Sequence, residues 1–308
     1  MTDSHIYSPS RTIPIALKAI SLGFAVTGRL IGQNGHMQFR LLALSLALLT
    51  FSTGQPSAER PTETEDDGRA IILRALDRAN WNEEQDASSL YRALMTKNIK
   101  RFDGRGDVTE EDQGDYEIVP INGVPFERRL TVGDRPLSDE ERGWENDREL
   151  EFREAIRRSR ERGKTNEEEE EDNITFNEEL ISRYTFTLES EEQYRNRPSY
   201  RVSFGPRSDR LPVRRRIDYA LNKARGTVWI DQKTYEAARV EFELIDTVRL
   251  WWGVFGTINR ARRSFDRKPV LGDTWARIQF ETYTDHRVVF KRTRRSEFRQ
   301  WREFEWVD

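Results

Sequence analysis

The sequence has 308 residues, with 51 Lys and Arg against 54 Asp and Glu and a net charge of −3. So even a balance excludes a global field of the kind that recruits nucleic acid or acidic substrates, while 36% hydrophobic residues suffice to build a core. The absence of cysteine excludes a disulfide framework, thiol chemistry and a diacylglyceryl anchor on a lipobox cysteine.

Residues 37–58 read as a secretory signal peptide: Met37 to Arg40 is a short basic start, Leu41 to Phe51 an apolar run, and Ser52 to Ala58 a small-residue cleavage zone. The apolar run is too short to span a bilayer, which takes about 20 residues. On this reading residues 1–36 are an upstream extension that precedes the true start. A two-segment membrane anchor is the alternative, because Ile13 to Ile31 is also apolar, although Lys18 and Arg29 interrupt it. Removing residues 1–58 takes out one acid and four bases and turns the net charge of −3 into −6.

Residues 59–67 read as a disordered, acidic lead-in, and a single domain is expected over 68–308. Ala70, Ile71, Leu73, Ala75 and Leu76 space an apolar stripe for a short helix that Trp81-Asn82 ends. A strand follows from Ser88 to Phe102, then a turn at Asp103 to Gly106. Asn122-Gly123 joins two strands, 116–120 and 126–130, as a hairpin. Ser138 to Glu141 is a capping box that starts a charged helix over about 138–163, with Trp144, Leu150, Phe152, Ala155 and Ile156 as its apolar stripe. The acidic run in 164–172 reads as a solvated loop.

Beyond it the pattern is strand at period two. Tyr184 to Leu188 and Tyr200 to Phe204 are separated by a polar link, Gly226 to Asp231 enters a turn at Asp231 to Thr234, and Ala238, Val240, Phe242 and Leu244 alternate with charged residues. The last two strands, 275–283 and 287–298, turn around Asp285-His286. Such alternation predicts an antiparallel sheet with one buried face. The fold class expected is mainly β (α+β): a strongly curved antiparallel sheet of eight to ten strands forming an incomplete barrel, with two or three helices on its concave face.

From about Phe176 to Val307 the chain resembles the periplasmic outer-membrane lipoprotein-sorting carriers, the LolA-like superfamily. Gly226 to Asp231, Thr234, Tyr235, Ala238 to Glu241 and the aromatic strands 275–283 and 288–301 carry the resemblance. Gly123-Val-Pro-Phe126 and Arg135-Pro-Leu-Ser138 with Glu141 also resemble motifs of exported proteins that share that half. The resemblance implies an incomplete barrel closed by helices over an apolar cavity that accepts acyl chains. No functional residue of the family is carried over individually.

Catalysis has little to draw on. His5 and His36 fall in the segment ahead of the domain and His286 stands alone, so neither a His-based triad nor a His metal site can be assembled. Phosphate loops and Gly-x-Ser-x-Gly are absent, and no cofactor is expected. Phe186, Phe204, Trp229, Phe242, Phe280 and Phe290 are candidates to line a cavity, against the plainer reading of ordinary sheet core. Trp251, Trp252 and Phe255, flanked by Gly253 and Gly256, suit a lid. Arg210, Arg214, Arg215 and Arg216 are candidate contacts for anionic headgroups or an acidic partner, against the plainer reading of a solvated loop.

These features converge on a soluble, unlipidated periplasmic carrier or chaperone, monomeric and non-enzymatic, whose partner is a lipid, a lipoprotein acyl chain or an envelope protein complex, not a nucleic acid. The alternative is a structural interaction protein of the envelope with a filled core. What separates the two is whether an apolar cavity lies between sheet and helices.

Overall fold

A computed structural model describes residues 63–85, 91–162, 176–250, 256–288 and 291–307. The signal-peptide reading, the acidic loop and the aromatic lid residues Trp251, Trp252 and Phe255 lie outside the described residues, as does Phe290.

Helix α1 (Glu63–Gln85) buries Ile71, Ile72, Ala75 and Leu76, a spacing that keeps all four on one side of a 3.6-residue turn. It starts inside the segment read as lead-in and runs past the expected stop at Trp81-Asn82. A tertiary contact explains the second difference: the Asn82 amide donates to Glu236 at 2.6 Å, so the residue serves packing rather than termination.

Strand β1 (Tyr91–Phe102) turns into β2 (Val108–Ile121) where the Asp103 carboxylate accepts the backbone N–H of Arg105, Gly106 and Asp107. Asn122 (φ 51) and Gly123 (φ 78) then make the expected hairpin turn into β3 (Val124–Arg129). A small ribbon, β4 (Thr131–Val132) with β5 (Arg135–Pro136), leads to helix α2 (Asp139–Arg162). The capping box forms, with Ser138 Oγ accepting from Glu141 N at 3.2 Å and Glu141 Oε2 accepting from Ser138 N at 2.8 Å. The apolar stripe of α2 is narrower than expected: Phe152 meets Phe126 with ring centroids 5.0 Å apart, while Trp144 and Leu150 are exposed. Six residues of helix turn through about 600°, so Trp144 and Leu150 cannot share one face.

Helix α3 (Glu178–Ser182), capped by Asn177, precedes β6 (Tyr184–Tyr194) and β7 (Arg197–Pro206). The polar link expected between these strands is itself strand, closed by Arg195 (φ 51) and Asn196 (φ 63) in a two-residue turn. After α4 (Asp218–Leu221) come β8 (Ala224–Asp231), β9 (Ala237–Leu244), β10 (Val248–Leu250), β11 (Gly256–Leu271), β12 (Thr274–Val288) and β13 (Lys291–Trp306). No turn forms at Asp285-His286. There β12 continues to Val288, held by pairing of Asp285 with Arg294 and of His286 with Thr293.

Eleven strands form one antiparallel sheet in the order β3-β2-β1-β13-β12-β11-β9-β8-β7-β6, with β10 added on β11. A sheet of this width curls under its inherent twist, yet β3 and β6 remain separate edges, so the barrel is incomplete. Ile72 and Leu76 of α1 pack with Ile181 of α3 and with Phe186, Val202, Ala224 and Ile230 of the sheet. Ile217 just ahead of α4, with Ala220 and Leu221 within it, packs with Val248, Ile258 and Ala261. The face of the sheet that α1 covers is termed the inner face. Register puts Phe126 and Arg128 on the other face, so α2 rests there.

Candidate ligand-binding face

Directly paired residues of an antiparallel ladder point to the same face, so register decides what the inner face presents. Beginning under α1 and continuing past it, the face is apolar: Phe204 and Phe242 both pair with Gly226, and Val228 pairs with Val240. One strand further on, Val240 pairs with Phe265 and Phe242 with Arg263. Phe265 then pairs with Phe280, Phe280 with Arg299 and Arg299 with Lys97. The inner face thus changes along one continuous row from aliphatic to cationic and aromatic.

A bulge completes the second half. Asp266 pairs with Gln279 but Arg267 with Arg277, which makes Ile278 an extra residue and brings Arg277 to the same side as Phe280. The Arg277 guanidinium lies 5.4 Å from the Phe265 centroid, 5.7 Å from Phe280 and 5.8 Å from Trp301. Arg263 stands 5.3 Å from Phe280 and 6.0 Å from Phe242, and Arg299 lies 5.9 Å from Phe280. Three guanidiniums therefore surround one phenyl ring, each within the reach of a cation–π attraction.

Two carboxylates accompany these cations. Glu127 accepts from Lys97 at 2.8 Å and from Arg299 at 2.5 Å; Glu297 accepts from Arg295 at 2.7 Å and from Arg299 at 2.5 Å. Burial raises the cost of charge here, and it shows. Arg277 is pushed down to about 10, first by burial and then by the charges of Arg267, Arg299 and Arg263. Burial and Arg299 hold Arg263 down to about 10 against the pull of Glu297. Burial opposes the charge of Arg299 too, but Glu127 and Glu297 outweigh it and raise that group. All three remain cations at neutral pH. The array is not sealed: the Arg299 side chain is 25% exposed and that of Lys97 16%, against 1% for Ile72 on the buried side of α1.

Glu236 ties the two halves together. Its buried carboxylate accepts from Arg78 at 2.9 Å and Asn82 at 2.6 Å on α1 and from Arg267 at 2.7 Å on β11.

Of the residues singled out in the sequence, Phe186 and Phe204 lie in the cluster under α1, and Phe242 and Phe280 in the cationic half of the same face. Trp229 is on the opposite face. Its indole N–H donates to Glu192 at 2.7 Å, its ring lies between Arg201 and Arg239, and nearby Asp266 is held by Arg195 at 2.5 Å and Arg239 at 2.6 Å. Arg210, Arg214 and Arg216 are exposed, and Arg215 is half-buried. Their segment is anchored by Asp218, which accepts the backbone N–H of Arg214 at 2.8 Å and of Arg215 at 2.9 Å and pairs with buried Arg183 at 3.1 Å. An open groove of about 490 Å³ between α2 and β3, lined by Phe126, Arg148 and Phe152, belongs to the opposite face.

Sequence reading missed Arg263, Arg277, Arg299, Lys97 and Trp301, having assigned charged strand residues to the wet face. A partial signal exists: Arg263-Ser-Phe265 and Arg299-Gln-Trp301 put arginine two residues from an aromatic, hence on its face. Arg277 has no such signal, because the bulge sets its direction. Among the described residues no cluster of ligating side chains could hold a metal ion, and no helix is long and apolar enough to cross a membrane.

No protein family and no curated protein matches the chain in sequence. Among solved structures it is similar to an outer membrane lipoprotein-sorting protein domain from Vibrio parahaemolyticus, at 11% identity and a TM-score of 0.32, covering 79% of this chain and 93% of that one. It is similar also to a DUF1329 family protein from Desulfovibrio piger, at 12% identity, a TM-score of 0.29 and coverage of 80% and 94%. A LolA superfamily protein from Nitrosomonas europaea gives 12% identity, a TM-score of 0.26 and coverage of 78% and 94%. The likeness is one of fold, and it assigns no ligand.

Proposed function

We propose that this chain is an exported, non-enzymatic carrier of the LolA-like kind, which shields a lipid, a lipoprotein acyl chain or another largely apolar ligand on the inner face of its sheet. One observation carries the reading: the aromatic row Phe265, Phe280 and Trp301 continues the apolar surface under α1 into a stretch where burial is incomplete. A filled core would bury those rings as completely as Ile72 and Ile230. Covering them with ligand would contribute about 25 cal/mol per Å2 of apolar surface removed from water.

The test is binding of a fluorescent acyl probe with a neutral head to the full chain. Saturable binding is expected, weakened about tenfold by Phe280→Ala, which corresponds to about 1.4 kcal/mol, with only a modest fall in thermal stability. No saturable binding, together with a stability loss of about 3–5 kcal/mol for Phe280→Ala, would make the ring core and the protein a scaffold of the envelope.

A further inference from the structure

The inner face holds more charge than an apolar ligand needs. Arg263, Arg277 and Arg299 gather around Phe280, and the two carboxylates bonded to Arg299, Glu127 and Glu297, are each divided with a second cation, Lys97 and Arg295; elsewhere on the face Glu236, Asp112 and Glu110 are engaged by Arg267, Arg129 and Arg101. Bringing cations together in a poorly hydrated place costs free energy unless something anionic repays it. Each guanidinium stacks on Phe280 through its flat side, and its in-plane N–H fork is of the kind that matches a carboxylate or phosphate with two parallel bonds, as Arg299 shows by donating to Glu127 and Glu297. Ionic screening is also weak for partly buried groups, so an anion placed here is attracted more strongly than at the surface.

We infer that the inner face receives an anionic amphiphile, with its carboxylate or phosphate head on Arg263, Arg277 and Arg299 around Phe280 and its chain running across β11 and β9 toward the apolar surface under α1. This deepens the carrier reading and rests on it. Arg263 and Arg277 keep their own contacts in the unliganded chain, and the head exchanges with or adds to these.

Isothermal titration of the full chain with monomeric dodecyl phosphate, dodecanoate, dodecanol and inorganic phosphate tests the inference. Both anionic amphiphiles are expected to bind at least tenfold tighter than dodecanol. Arg277→Gln and Arg299→Gln should each remove most of that advantage, weakening the two anionic amphiphiles far more than dodecanol. Equal binding of dodecanol and dodecyl phosphate would overturn the head-group assignment while the carrier reading stands. An anionic advantage that survives both substitutions would overturn it as well, by putting the head elsewhere. Inorganic phosphate binding as tightly as dodecyl phosphate would identify a free anion as the ligand and remove the chain from the proposal. Absence of binding by all three amphiphiles would overturn the carrier reading itself. Should Arg277→Gln fail to fold by circular dichroism, the comparison of head groups on the unsubstituted chain and on Arg299→Gln still decides.

Discussion

Asp218 shows how one carboxylate organises a loop. Its burial alone would push it up, but the N–H groups of Arg215 and Arg214 and the charge of Arg183 outweigh this and hold it below the usual 3.8. A group whose folded pKa is depressed contributes stability above its unfolded value, and that contribution is lost as pH falls through the folded one. Asp218→Asn is therefore expected to cost about 3 kcal/mol near neutral pH, because it leaves Arg183 buried with less compensating charge. Acid titration followed by near-UV circular dichroism should show the gap between variant and parent closing below pH 3.8. A gap that stays constant down to the acid transition would mean that the carboxylate is not ionised in the folded state.

Two glycines separate packing from propensity at the scale of the helix. A Cβ on Gly68 of α1 would stand 2.7 Å from the Phe186 carbonyl oxygen and 2.9 Å from Leu188 N, so the helix touches β6 backbone to backbone. A Cβ on Gly143 of α2 would meet nothing within 4 Å. Alanine is the better helix former by about 1 kcal/mol, hence Gly143→Ala should raise thermal stability, whereas Gly68→Ala should lower it by about 1–3 kcal/mol through overpacking. Stabilisation by both substitutions would show that α1 does not seat on β6 as closely as described. The same contrast explains what could be read from sequence. The Ser138–Glu141 capping box and the Asn122-Gly123 turn are local and legible, because each is closed by neighbours along the chain. The length of β12 past Asp285-His286, and the inward aim of Arg277, depend on the register of β12 with β11 and β13 and on a bulge, for which adjacent residues carry no signal. Of the aromatic residues singled out in the sequence, Phe186, Phe204, Phe242 and Phe280 share the inner face, while the arginines packed against the last two were not singled out.

The sheet as a whole is closed by its most distant members, since β1 pairs with β13 along nearly its full length, Tyr91 with Trp306 through Phe102 with Arg294. Strands β6 to β9 pair in chain order and β9 then joins β11 across the short β10, whereas among the described residues β1 to β3 join that body by strand pairing only at residues 291–306. Non-local pairing of this kind folds late, because loop closure must precede any return from the contacts. Pulsed hydrogen exchange during refolding is expected to protect Val202 and Ile230 before Met95 and Ile118; simultaneous protection would exclude a late β1–β13 step. Until its last strand is available, then, the chain holds a finished half beside an unfinished one with a bare edge. The protein's vulnerable moment is fixed by its topology: any partner that recognises the open edge of β1, whether a chaperone or a second nascent copy, has its opportunity in the interval between emergence of β1 and arrival of β13.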